Sequence, residues 1–453
     1  MNRFRSFFFS VTLVGLVYNQ AISAPAAKAH NQAISAPAAK ADYLKTGNEK
    51  AAKGDSKGAI ADYTKAIAVD AKNAQAYQNR GVLKLGSGDH SGALADFAKA
   101  IKLNPRYAEA WYNSGVARNE LKDYSGAITD YNKALELNPK FVGVYLNRAI
   151  AKTAAGDNAG AMADYSKAIE YQPSSAEAWY GRGIMKNQAG DKDGSVADLV
   201  QAVKAWFNNG AARASKGDFK GALADYDKAI TLSPKFGDAF NNRGNVKKAL
   251  GDQQGALADY TKAIELNPSS AVSYSNRGFL KAMLKDKDGS LADYGKAIEL
   301  DQKNVQWLLA RGQAHNVFGN PNEAVADYTK AVKLDSKSSL AYLNRGNTLF
   351  GLGKKTEALA DYSKVIELDP KNADAWFNRG FILAENKDNA GSINDFSKAI
   401  ELNPGYAKAF FKRSVAKSAL GDEKGAIEDM KQAARLGLEN AQSVLKSRKI
   451  SWQ

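Results

Sequence analysis

The sequence has no cysteine and only three histidines among its 453 residues. It can therefore build no disulfide framework, thiol nucleophile, cysteine-ligated zinc or iron–sulfur site, and it offers no cysteine for lipid attachment. The histidines are scattered at His30, His90 and His315, which makes neither a metal site nor an acid–base pair. Long apolar runs are also missing. The only one, Phe7 to Tyr18, has twelve residues where a membrane span needs about 20. Acidic residues are the minority charge, 48 against 63 Lys and Arg, for a net charge of +15. Apolar residues at 44% are ordinary for a folded soluble chain.

What is present begins with an export pattern. Arg3 and Arg5 precede the apolar run, and small residues follow it, as in a secretory signal peptide. Cleavage is expected after Ser23 or Ala26, giving a signal peptide over 1–26, an exported protein that is periplasmic or secreted, and no transmembrane segment after cleavage. Either cut removes both arginines and leaves +13. The segment NQAISAPAAKA occurs at 19–29 and again at 31–41, so residues 27–39 read as an unstructured linker.

From Lys40 the chain repeats every 34 residues, in copies starting at Lys40, Ala74, Ala108, Val142, Ala176, Val203, Gly237, Ala271, Val305, Ser339, Ala373 and Ala407. Position eight is Gly in ten copies and position twenty is always Ala or Ser, which lets two helices cross closely. Position twenty-four is Tyr or Phe in ten copies and position twenty-seven is Ala in all but one. Seven copies carry Gly-Asp between the helices and seven close with Pro, the signs of a helix end, a helix start and a stop.

These residues resemble the tetratricopeptide repeat family, over about nine-tenths of the chain. The resemblance implies an all-α solenoid: stacked helix-turn-helix repeats winding into a right-handed superhelix whose first helices line a concave groove. Repeats one to five occupy 40–202, the fifth being seven residues short, and repeats six to twelve occupy 203–440. A capping helix is expected over 441–450, within a terminal segment 441–453.

Two departures from the family pattern stand out. Position seven is Arg in nine copies and position twenty-three is Asp in all twelve, which predicts an ion pair inside most repeats. At the shortened fifth repeat, Val196, Val200, Val203, Phe207 and Gly210 keep one helical stripe across the junction, predicting a single helix from about Asp193 to Ala214 and an interruption of the groove there.

The binding candidates are the asparagines at position six: Asn79, Asn113, Asn147, Asn208, Asn242, Asn276, Asn344 and Asn378. The family places that position in the groove, and an amide offers a donor and an acceptor to an extended peptide backbone. The row is interrupted by Lys45, Gly181, Ala310 and Lys412. Neighbours at positions five and nine, such as Tyr112, Tyr180, Phe377 and Phe381, would supply selectivity. Position eleven is Lys or Arg in nine copies; its cations either share the Asp at twenty-three or, if they reach the groove, call for an acidic ligand.

No catalytic constellation emerges, and GLGKKT at 351–356 lacks phosphate-loop spacing. The expectation is a non-enzymatic scaffold without cofactor or metal that binds a protein or peptide partner. The alternative is electrostatic binding of an anionic envelope polymer or nucleic acid.

Overall fold

A computed structural model describes residues 42–452. The expected signal peptide and duplicated linker lie outside the described residues. Within them the chain forms twenty-four helices and no strand. Repeats one to four supply eight helices, repeats five and six share three, repeats seven to twelve supply twelve, and one caps the end.

Each hairpin follows from its local chemistry. In the third repeat a leading helix, Ala108–Glu120, turns into a trailing helix, Tyr124–Leu137. The Asp123 carboxylate caps the second by accepting from the Gly126 N–H at 2.9 Å, and an Asp does the same for ten of the twelve trailing helices. The turn residue before this cap is left-handed. Gly54 has φ of 81°, and where glycine is missing Lys122, Lys285 and Lys387 are forced to 63°.

Inside the hairpin the expected alternation of small and aromatic residues is steric. A Cβ at Gly115 would lie 2.5 Å from the Tyr131 ring, and Tyr131 is fully buried. All nine predicted Arg–Asp pairs form, as two-pronged contacts. Arg80 donates through Nε at 2.9 Å and Nη2 at 2.7 Å to Asp96, and the other eight repeat this geometry.

The junction helix runs Lys192–Ser215, one residue beyond its predicted span at each end. Without the closing turn, the trailing half of repeat five and the leading half of repeat six are one rod. It packs on both Ala176–Gln188 and Phe219–Leu232. Buried Trp206 joins these flanks: its ring lies tilted 5.6 Å from Tyr180 and donates to Glu177 at 3.2 Å, while the Lys228 ammonium of the other flank sits 5.4 Å from its ring centre.

By proximity the chain falls into two compact units, one up to Pro234 and one from Lys235, so the 202/203 boundary lies inside the long helix of the first unit. Within each unit several pairs of successive leading helices touch. In the first, Ala74–Gly86 meets Ala108–Glu120, which meets Val142–Ala154; in the second, Ala373–Glu385 meets Ala407–Ala419. Trailing helices do not approach one another to that extent among the described residues, so the leading helices form the inner, more tightly spaced layer of each stack. The capping helix is Glu439–Ser447, two residues earlier than expected at its start and three at its end, because Lys449 adopts φ of 54° and closes it. Among the described residues no helix is long and apolar enough to cross a membrane.

Candidate binding surface

The position-six asparagines all sit on leading helices, but their amides are not equally available. Four donate one N–H to the preceding repeat. Asn79 reaches Asn48 Oδ1 at 2.9 Å, Asn147 reaches Tyr112 Oη at 2.9 Å, Asn276 reaches Asn241 Oδ1 at 3.0 Å and Asn378 reaches Asn347 Oδ1 at 3.1 Å. Asn242 accepts from Asn241 at 3.2 Å, and Asn113 is buried. Asn208 is exposed and Asn344 half-buried. The row is thus partly a staple between repeats, each amide retaining further hydrogen-bonding capacity.

A partner set at position nine escaped sequence reasoning. Asn48, Asn245 and Asn347 accept the hydroxyl protons of Tyr63, Tyr260 and Tyr362 at 2.8, 2.7 and 2.8 Å. The pairing of an Asn at nine with a Tyr at twenty-four in the same copy was the available signal. One gap in the row also has a steric cause: at Gly181 a Cβ would collide with the Tyr165 ring.

The position-eleven cations turn inward. All nine reach the buried Asp at twenty-three, from Lys50 on Asp62 at 2.7 Å to Lys417 on Asp429 at 2.8 Å. Eighteen cations therefore converge on twelve carboxylates. Repeat six is the weakest: Asn209 replaces the arginine and donates instead to the Ser174 carbonyl, so Asp225 keeps only Arg213, at 2.7 Å. Burial, helped by Glu177, pushes the Asp225 carboxyl up to about 6 against the pull of Arg213 and Lys228. In repeat three Ser114 donates to Asp130 at 2.6 Å in the arginine's place, and burial again raises the carboxyl.

The second unit holds a cavity of about 360 Å³ among its last three repeats and the capping segment. Its wall combines Phe350, Phe377, Phe381 and Phe411 with Asn378, Lys408 and Lys412; Leu438 and Asn440 close it from the capping side. Phe350 and Phe381 meet edge-on at 5.7 Å, and Phe377 stacks on Tyr406 at 4.9 Å. The Lys412 ammonium lies 4.5 Å from the Phe381 ring centre. Of the residues proposed from the sequence, Asn378, Phe377 and Phe381 are brought together here. Tyr112 is buried beneath Asn147, its ring tilted against Phe141 at 4.9 Å, and its phenol is held far above the usual pKa by burial. Phe350 and Phe411 were missed, although the crowding of phenylalanines onto these leading helices was visible.

Family profiles described as tetratricopeptide or TPR repeat match residues 47–88, 79–140, 151–190, 210–251, 237–270, 346–387 and 373–406, together more than half of the chain. No curated protein matches. Among solved structures, MamA is 28% identical, covering 36% of this chain and 96% of its own, with a TM-score of 0.34. YrrB, described as a TPR protein with an unusual peptide-binding site, is 26% identical, covering 41% of this chain and 95% of its own, with a TM-score of 0.36. Yeast Tom70 is 17% identical, covering 90% of this chain and 95% of its own, with a TM-score of 0.37.

Proposed function

The chain belongs to the tetratricopeptide repeat family, and on that premise we propose that it is a non-catalytic scaffold that binds extended peptide segments of a partner protein on its leading-helix layers. The observation that carries this reading is the aromatic cavity beside Asn378, a concave, mostly apolar site with a few polar groups at its wall. Its size is near the lower end of ligand pockets, roughly 300–1,000 Å³, which suits side chains of an extended strand better than a folded domain. The position-six amides would hold the strand's backbone and the phenylalanines would select its side chains.

The amino-terminal pattern supports work in an exported compartment, periplasmic or extracellular. Electrostatic capture of an anionic polymer fits less well. Six of the thirteen excess positive charges of the cleaved chain belong to the inward rows, where eighteen cations meet twelve aspartates.

A tiled peptide array drawn from exported proteins, probed with the mature chain at low and high salt, tests the proposal. Spots retained at high salt and lost on Phe381→Ala or Asn378→Ala support peptide recognition in the second unit. Binding unchanged by either substitution would remove this cavity from the reading.

A further inference from the structure

We infer that the cavity of the second unit selects peptides in which a bulky apolar side chain is followed, one or two residues away, by an acidic side chain. This rests on the peptide-binding reading above and gives it a ligand class. The apolar half of the motif follows from the four phenylalanines, whose faces and edges would surround one large side chain.

The acidic half follows from two lysines. Lys408 and Lys412 lie one turn apart on the leading helix Ala407–Ala419, and both line the cavity. Like charges at this spacing repel and weaken a helix. Farther along the same helix the cations are neutralised: Arg413 and Lys417 both reach Asp429, at 2.7 and 2.8 Å. Lys408 and Lys412 have no carboxylate within 4.0 Å among the described residues, and no Asp or Glu lines the cavity. Lys412 also stands at position six, where most repeats carry the amide, so the last repeat exchanges a backbone-gripping group for a charge.

The Lys412 ammonium sits over the Phe381 ring, so the positive and aromatic parts of the wall adjoin. An extended strand advances about 3.3 Å per residue, which places the matching carboxylate within two residues of the anchor. Half-buried Lys412 and the exposed Lys408 can each meet it with a charge-assisted hydrogen bond.

The experiment is a fluorescence-anisotropy titration of the mature chain with three labelled nonapeptides of Gly and Ser. One carries Phe followed by two Asp and an amidated end, one has Asn for both Asp, and one ends in Phe with a free carboxylate. The acidic peptide is expected to bind at least about tenfold more tightly than its Asn twin, as one charge-assisted hydrogen bond allows. Lys412→Gln and Lys408→Gln should each reduce the ratio of acidic-peptide to Asn-peptide affinity, and a thermal melt of each variant matching that of the unsubstituted chain reports intact folding. Equal binding of the acidic and Asn peptides would overturn the inference and leave the peptide reading standing. Preference for the free-carboxylate peptide would overturn it in favour of chain-end recognition, and binding of none of the three would overturn the cavity's role as a peptide seat.

Discussion

Replacing Asp225 with Asn should have the opposite effect, at neutral pH, from the same change at Asp259. Both carboxylates are buried, at 2 % and 4 % exposure, and both occupy position twenty-three. Asp259 receives Arg243 through two contacts at 2.8 and 2.7 Å and Lys247 at 2.9 Å. Removing its charge strands buried cations and should cost roughly 3–5 kcal/mol. Asp225 has one arginine contact and a pKa raised to about 6 from 3.8. A carboxyl raised by about two pH units costs about 3 kcal/mol when ionised. The sign follows from linkage: the penalty is full above pH 6, fades as pH falls towards 4, and is gone below the unfolded value. The Asn variant escapes it but loses the Arg213 contact, worth about 1–2 kcal/mol, for a net gain of about 1–2 kcal/mol at pH 7 and none at pH 5. Because repeat arrays unfold locally, the assay is amide hydrogen exchange, corrected for intrinsic rates, in Lys192–Ser215 and Phe219–Leu232 for Asp225→Asn and in Gln253–Leu266 for Asp259→Asn. Slower exchange at pH 7 in the first variant and faster in the second is expected. Acceleration in both at pH 7 would refute the argument that repeat six carries an under-compensated charge.

Lys122→Gly relieves a left-handed residue and should stabilise its hairpin by about 1 kcal/mol, read as a rise in denaturant midpoint. Gly115→Ala drives a methyl into the Tyr131 ring and should cost about 1–3 kcal/mol by the same assay, whereas an alanine at Gly351, which has open space, should cost little. Mass spectrometry of the exported chain should find its first residue at Ala24 or Ala27; an intact Met1 on exported material would contradict the cleavage reading. Changing Asn79, Asn113 and Asn147 together to Ala should weaken partner capture by the first unit at high salt, and unchanged capture there would retire that stretch of the row.

The repeat frame, the nine arginine–aspartate pairs and the fused junction helix were legible because each depends on spacing along one helix or across one hairpin. Arg80 and Asp96 are sixteen residues apart and meet wherever Gly81 and Ala93 let the helices close. The Asn row was harder. Whether Asn147 turns to a ligand or to Tyr112 depends on the previous repeat, thirty-five residues away, and that register is a packing outcome. Lys84 and Lys417 pointed two ways in the sequence; each was resolved by how far a stem reaches towards a buried carboxylate. The cavity was least legible, since it joins Phe350, Phe381 and Phe411 from three repeats with Leu438 from the capping segment. No single copy of the repeat contains it.

The most direct test of backbone recognition on the leading-helix layer is the affinity of one captured peptide and its N-methylated twin, each at low and high salt. Methylation of the contacted amide removes a donor and leaves side chains and charge in place. The account predicts that the methylated peptide binds about tenfold or more weakly at both salt concentrations, with a smaller loss when Asn378 is already Ala. Equal binding of the two peptides, with affinity that collapses as salt rises, would contradict it and make the basic surface the binding determinant.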